Sequence, residues 1–207
     1  MKQIILASAS PRRKKLLQQI KLSFDVRPSS VSESYNPSLS PAKIVQQLAM
    51  RKAKDIALQS RDALVIGADT IVVFRNQILE KPVDSSDAEQ MLQQLSGQTH
   101  QVFTGVALCK VNTSHNITES TTFVESTDVI FGDLNPRDIE AYVAGGSPMD
   151  KAGGYGIQDD FGAIFVRRIE GDYYNVVGFP LHSFYNMMKS FAPEIIRPQK
   201  IDKKANE

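Results

Sequence analysis

Ile4-Ile5-Leu6-Ala7-Ser8-Ala9-Ser10-Pro11-Arg12-Arg13 decides the fold class, because it reads as a strand, a turn of small residues and the start of a helix. The apolar run Ile4 to Leu6 suits a buried strand. Ser10 is a good N-cap, and Pro11 fits the first helical position, where no amide hydrogen is needed. Arg12 and Arg13 then stand at the positive end of the helix dipole, which costs about 0.3–1 kcal/mol each unless an anion binds there. Two readings are open: a phosphate-binding βα turn, or a βα unit with two solvated arginines. No Walker lysine and no GxGxxG accompanies the turn, so neither the P-loop nor the dinucleotide fingerprint applies.

Outward from that turn, composition narrows the class. A chain of 207 residues with 42% hydrophobic content can bury a core, and its net charge of +1 lacks the basic excess of a dedicated nucleic-acid binder. One cysteine excludes an internal disulfide framework. There is no secretory h-region and no apolar run long enough to span a bilayer, so the expectation is a soluble, cytoplasmic protein. Three scattered histidines and one cysteine cannot build a soft-metal site; a catalytic metal would sit on carboxylates, phosphate and water, as magnesium or manganese does.

The helix after Arg12 carries Leu16, Leu17 and Ile20 on its inner face, and a second strand follows around Phe24 to Arg27. A Ser- and Pro-rich loop, 28–41, holds Glu33, with Arg27 the nearest basic residue in sequence. The next helix opens at Ser40-Pro41 and sets Ile44, Val45, Leu48, Ala49, Ala53, Ile56 and Ala57 at helical spacing. Lys52 falls inside that apolar arc, so it either snorkels or meets an anion. Residues 64–73 read as a buried strand interrupted by Asp69 and Thr70, and a buried carboxylate there needs a partner, a metal or a turn to cap. Gly67 and Ala68 suggest a bulge or a ligand close to the backbone.

A hairpin through Arg75-Asn76-Gln77 delivers Glu80, Lys81 and Pro82. A helix over 86–96 with a Ser86 and Glu89 capping box follows, its inner face Met91, Leu92 and Leu95. Two long strands come next, 102–111 and 118–131, with Cys109 in the core and Thr and Ser frequent enough for a half-polar face toward a cleft or a second subunit. Asn135-Pro136 opens a further helix, and a glycine-rich loop carries Asp150 and Lys151. The remaining expectations are a buried strand over 163–166, a turn at 171–175 and a last helix with Leu181, Phe184, Tyr185 and Met188 inward.

The segments Ser8-Ala9-Ser10-Pro11-Arg12-Arg13, Gly67-Ala68-Asp69-Thr70, Lys81-Pro82, Thr104-Gly105-Val106, Asp150-Lys151-Ala152-Gly153 and Gly171 to Gly178 occur in the order seen in the Maf family of nucleotide pyrophosphatases. The chain resembles that family over roughly residues 3 to 190. The resemblance implies an α/β, Maf/ITPase-like fold: an elongated mixed β-sheet with flanking helices and two lobes around a central cleft. One domain over residues 1–192 and a polar C-terminal tail over 193–207 are expected. It further implies hydrolysis of a nucleoside triphosphate to the monophosphate and pyrophosphate, a house-cleaning activity with a link to cell division arrest.

By the same resemblance Asp69 is the catalytic carboxylate, as general base or metal organiser, and Glu33 joins it as metal or water ligand. Ser8, Arg12, Arg13, Lys52 and Lys81 bind substrate. Arg12, Thr70 and Gln158 match the branch acting on dTTP and UTP; a glutamine offers both a donor and an acceptor to the O4 and N3–H edge of uracil or thymine. A divalent cation, magnesium or manganese, is the implied cofactor, with no membrane and no obligate nucleic acid as partner and a homodimer left open. The rival is a non-catalytic nucleotide- or nucleic-acid-binding regulator of septation. Three positions depart from the family pattern: Ser32, where aspartate often precedes the acid matched by Glu33, Ser147, where an acid commonly precedes the proline, and Asp159, where glycine often follows the glutamine.

Overall fold

The computed structural model describes residues 3–196. Its elements in chain order are β1 (Gln3–Leu6), α1 (Pro11–Gln19), β2 (Asp25–Val26), α2 (Pro41–Ala57), β3 (Ala63–Phe74), β4 (Gln77–Leu79), α3 (Ser85–Leu95), β5 (Thr99–Val111) and β6 (Ile117–Phe131). There follow α4 (Pro136–Ala144), two short 3₁₀ turns (Ser147–Asp150 and Ala152–Gly154), α5 (Asp160–Phe165), β7 (Val166–Glu170), α6 (Tyr173–Val177) and α7 (Leu181–Phe191).

The strands form one sheet in the order β2-β1-β3-β5-β6-β7, with β4 added to β3. β1 pairs in parallel with β2 and β3, as a βα crossover requires, and the other pairings are antiparallel. The mixed sheet with flanking helices is therefore the architecture expected from the sequence. Its long members are β3, β5 and β6. The tight turn at Arg75 and Asn76, with φ of 48° and 65°, closes the β3–β4 hairpin as a residue pair at positive φ should.

Helix α2 lies on one face of the sheet. Two apolar clusters fill that interface: Ala49, Ala53 and Ile56 against Ala63, Val65 and Cys109, then Ile44, Val45 and Leu48 against Ile71 and Val73. Residues Gly67 and Asp69 of β3 fall between them. The larger core covers the opposite face, where Leu64, Ile66, Ala68 and Val72 meet Leu16 and Leu17 of α1, Leu92 of α3, Tyr142 of α4 and Phe184 of α7. Helix starts agree closely with the sequence reading: Ser10, Ser40 and Asn135 each accept an amide from the first turn, with proline at the first position.

Several local expectations are corrected. Ile20 and Tyr185 are 37% and 41% exposed and do not face the core. Helix α3 starts at Ser85, and its reciprocal cap is Asp84 with Asp87, which accept from the amides of Asp87 and Val83 respectively, in place of Ser86 and Glu89. Its buried positions are Ala88, Leu92 and Leu95, with Met91 only partly covered. Residues 163–165 end a helix, α5, and the strand after it is a half-exposed edge. A short apolar run fits both periods, and Ile164, 70% exposed, shows that this one was no buried strand. The turn at 171–175 is the entry to α6, capped by Asp172, whose carboxylate accepts from Tyr174 and Asn175. At the C-terminus Ile195 and Ile196 pack on the main core, and residues 197–207 of the expected tail lie outside the described residues.

Candidate active site

The cleft arises from how β3 is paired. One edge is matched by β5 from Ala63 to Val73. The other is shared: β1 pairs with residues 63–66 and β4 with residues 72–74, so residues 67–71 have no strand alongside. Across this gap the Ala7 amide donates to the Ile66 carbonyl at 2.7 Å and Arg13 Nη1 to the Ala68 carbonyl at 2.9 Å. A cleft of about 710 Å³ opens here, with Ser8, Arg12, Arg13, Glu33, Lys52, Asp69, Thr70, Lys81 and Gln158 all on its walls. Every site residue singled out from the sequence is thus brought to one place.

Asp69 and Lys52 occupy the polar break between the two apolar clusters under α2. Lys52 Nζ lies 2.6 Å from Asp69 Oδ1 and 2.5 Å from Glu33 Oε1, and Lys52 and Asp69 are 8% and 7% exposed. The lysine does not snorkel; it bridges two carboxylates. Glycines set the approach of the helix. A Cβ on Gly67 would stand 2.3 Å from the Ala49 carbonyl oxygen, and one on Gly105 2.4 Å from that of Val45. Helix backbone, not a bulge or a ligand, is what comes close to Gly67, and the β3–β5 register runs through it unbroken.

Glu33 is carried by the 28–41 loop, which is tied down on α2. Ser29 Oγ donates to Asp55 at 2.8 Å, and Arg51 Nη1 donates to the carbonyls of Ser32 and Ser34, each at 2.8 Å. The hydrogen bond from Lys52 holds the Glu33 carboxyl below its usual range, outweighing desolvation, with the charges of Lys52, Lys81 and Arg13 adding to it. Its nearest cation is thus Lys52 in space rather than Arg27 in sequence. Lys81, delivered by the β3–β4 hairpin, stands exposed at the cleft wall.

Among the described residues no three of His, Cys, Asp and Glu gather as a ready-made metal cage. The donor set still fits a hard divalent cation. Lys52 bonds Glu33 Oε1 and Asp69 Oδ1, and both residues line a cleft with room for phosphate oxygens and water as further oxygen ligands.

Arg13 is not the open anion receptor that its place in the first turn suggested. It is buried, and four of its five N–H bonds are directed at protein: Nε to Gly178 O, Nη1 to Ser8 Oγ and Ala68 O, Nη2 to Thr70 Oγ1, all within 3.1 Å. Burial lowers its pKa, opposed by the charge of Asp69. Thr70 also shares a 2.9 Å hydrogen bond with Thr104, so this cleft-wall hydroxyl also braces Arg13. The Gly171–Gly178 motif serves the same cluster: Asn175, fully buried within α6, donates to Val102 O and Thr127 Oγ1 and accepts from Thr104 through its carbonyl, and Gly178, which closes α6, gives its carbonyl to Arg13. Ser8 Oγ accepts from Arg13 and from the Ser10 amide, which leaves its own O–H to donate.

Arg12 points elsewhere. Its Nη1 lies 2.6 Å from Asp150 Oδ2, and the other oxygen of Asp150 accepts from Lys151 Nζ at 2.7 Å. Desolvation raises the Asp150 carboxyl, but the bonds from Lys151 and Arg12 outweigh it and leave the group below its ordinary value. Lys151 continues to Asp159 at 3.5 Å, and Asp159 Oδ2 accepts from Gln158 Nε2 at 2.8 Å. Asp150 and Lys151 were visible in sequence as a charged pair in a glycine-rich loop, but nothing local linked them to Arg12, 138 residues away. Behind the same wall, His100 Nε2 meets the Tyr155 hydroxyl at 2.7 Å, an anchor for the loop that no motif signalled.

Fold and site together define an α/β protein with one cleft whose walls gather five cationic side chains, Arg12, Arg13, Lys52, Lys81 and Lys151, and the carboxylates of Glu33, Asp69 and Asp150. The Maf-like protein family matches residues 3–191, so the chain belongs to that family. Among its relatives are proteins named dTTP/UTP pyrophosphatase. That of Salinibacter ruber is 49% identical over 190 residues, 91% of each chain. That of Bacillus cytotoxicus is 47% identical over 191 residues, 92% of this chain and 96% of the relative. Among solved structures, the Ham1 protein of Staphylococcus aureus aligns with 64% of this chain and 73% of its own, at a TM-score of 0.41 and 15% identity.

Proposed function

We propose that this protein hydrolyses dTTP and UTP to the nucleoside monophosphate and pyrophosphate. The observation that carries the reading is the Glu33–Lys52–Asp69 triad in the gap of the β3 edge, in a chain whose relatives bear that activity in their names. The triphosphate lies along the cleft against the β1–α1 turn. Arg12 and Lys81 pair with phosphate oxygens, the Ser8 hydroxyl donates to one, and Arg13 keeps the turn in shape while its last N–H stays available. Asp69 accepts the proton of the attacking water as that water adds to the α-phosphorus, and pyrophosphate leaves toward Lys81. Lys52 holds both carboxylates in place, a preorganised charge that needs no rearrangement during the reaction. A bound magnesium or manganese ion, held by Glu33 and Asp69, would neutralise phosphate charge and polarise the α-phosphoryl group.

On the base side Gln158 meets the pyrimidine, with Arg12 and Thr70 shaping the approach. The deciding experiment is pyrophosphate release from dTTP, UTP, CTP, GTP and 7-methyl-GTP, with magnesium, with manganese and with EDTA, for wild type and Asp69→Asn. Turnover of dTTP and UTP that requires the metal and vanishes in the variant is the expected result. A guanine nucleotide turned over best would overturn the base assignment. Binding of nucleotide with no pyrophosphate release would favour a regulator over an enzyme.

A further inference from the structure

Asp159 stands at the N-cap of α5, where an aspartate ordinarily accepts first-turn amides, yet its side chain makes no capping hydrogen bond. The carboxylate turns back instead. Oδ2 accepts from Gln158 Nε2 at 2.8 Å and lies 3.5 Å from Lys151 Nζ. Lys151 is itself fixed by the Ser147 carbonyl at 2.5 Å and by Asp150, which Arg12 holds from the other side. The backbone packs tightly beneath: a Cβ on Gly156 would lie 2.7 Å from Lys151 Cε and 2.8 Å from Asp159 Oδ2. Asp159 Oδ2 is therefore shared between Lys151 and Gln158, and Gln158 is bonded to it on the cleft wall.

A primary carboxamide can turn over about its last torsion and exchange its C=O and NH₂ at little cost. A glutamine free to do so reads uracil in one orientation and cytosine in the other. Uracil and thymine present N3–H and a carbonyl oxygen, whereas cytosine presents N3 as an acceptor beside an amino group. A carboxylate alongside removes that freedom, since a turned amide would set its oxygen against Asp159. The orientation that remains bonds one Nε2–H to Asp159 and leaves the other Nε2–H and Oε1 for a ligand. Oε1 has no hydrogen-bond partner among the described residues and almost no accessible surface, so a donor is what it lacks, and the Gln158 side chain must turn slightly toward the cleft to meet one from the base.

We infer that Asp159, backed by Lys151, is a positioning residue that locks the Gln158 amide to read an imide edge, so that uracil and thymine are accepted and cytosine is refused. The inference rests on the pyrimidine reading of Gln158 and adds to it the residue that fixes the amide. It is separable from catalysis because it concerns which base is bound.

The test is the affinity of UMP and CMP, measured by titration calorimetry on wild type, Asp159→Asn and Asp159→Gly, with pyrophosphate release from UTP and CTP measured beside it. Asparagine keeps the shape but can donate to a turned amide, and glycine frees the amide altogether. Wild type is expected to prefer UMP over CMP by about tenfold or more, and both variants to bring the ratio within about threefold, as for a lost hydrogen-bond match in a desolvated site. A ratio unchanged in both variants overturns the lock, and so does a wild type that binds the two nucleotides equally. Should wild type release no pyrophosphate while the UMP preference still collapses in the variants, the lock stands and the enzymatic reading falls.

Discussion

Arg13 Nε donates to the carbonyl oxygen of Gly178, 165 residues further along the chain, at 3.0 Å. That bond joins the first motif of the sequence to the last, and with those to Ser8, Ala68 and Thr70 it closes one wall of the cleft around a buried guanidinium. A lysine keeps the charge but offers a single point of donation, so Arg13→Lys leaves several buried acceptors unmatched. We expect a loss of about 2–4 kcal/mol in urea unfolding, together with a fall in kcat. A variant of wild-type stability would show that the guanidinium is a ligand contact and not part of the frame.

Lys52→Met conserves volume on the apolar arc, and volume alone would make it harmless to folding. The geometry adds a cost, because Asp69 is 7% exposed and loses its ion pair. Breaking one partner of a buried pair costs about 3–5 kcal/mol where no water reaches the survivor; the cleft beside Asp69 reduces this to about 1–3 kcal/mol. Turnover should fall by about a hundredfold or more as the preorganised charge is lost. Lys52→Met/Asp69→Asn should recover most of the stability and none of the activity. If the double variant is no more stable than the single one, the two side chains do not compensate each other.

Much of this was legible locally. Ser10-Pro11, Ser40-Pro41 and Asn135-Pro136 announce helix starts because capping uses neighbours in sequence. Lys52 and Asp69 stand out because a charge in an apolar pattern demands a partner, although the pattern does not say that each is the other's. The role of Arg13 and the chain from Arg12 to Gln158 depend on contacts more than a hundred residues apart, which no periodicity encodes. Gly67 suggests a bulge or a ligand, since a missing side chain signals close approach without saying whose. Residues 163–165 read as strand but end a helix, because an apolar run shorter than two helical turns fits either period.

His100 gives the molecule an acid sensitivity that can be assigned. It is 1% exposed, and burial pushes its pKa down to about 3 from 6.5. Between those values the unfolded chain binds a proton that the folded chain does not, so stability falls as pH drops below 6.5. The slope from this one group approaches about 1.4 kcal/mol per pH unit within that window. His100→Gln can still meet the Tyr155 hydroxyl but does not titrate. Urea midpoints from pH 7.5 to 5 should therefore decline more steeply for wild type than for the variant; parallel declines would mean that His100 is not the group responsible.

Gly67→Ala tests whether the spacing of α2 from the sheet sets the active site. Its new methyl would lie 2.3 Å from the Ala49 carbonyl oxygen and 2.7 Å from the Ala53 amide nitrogen, both helix backbone, so α2 must shift outward. Overpacking of this kind costs about 1–3 kcal/mol. Lys52 rides on the same helix, between Ala49 and Ala53 in sequence, so the shift also draws its ammonium away from Asp69. Activity should then fall by more than the loss of folded protein explains, measured as kcat per folded molecule at a temperature well below the transition. Gly156→Ala is the contrasting variant, because its methyl meets Lys151 and Asp159 and leaves α2 alone. It should alter the preference among bases more than kcat. Equal kcat losses in the two variants would break the link between helix position and the Lys52–Asp69 pair.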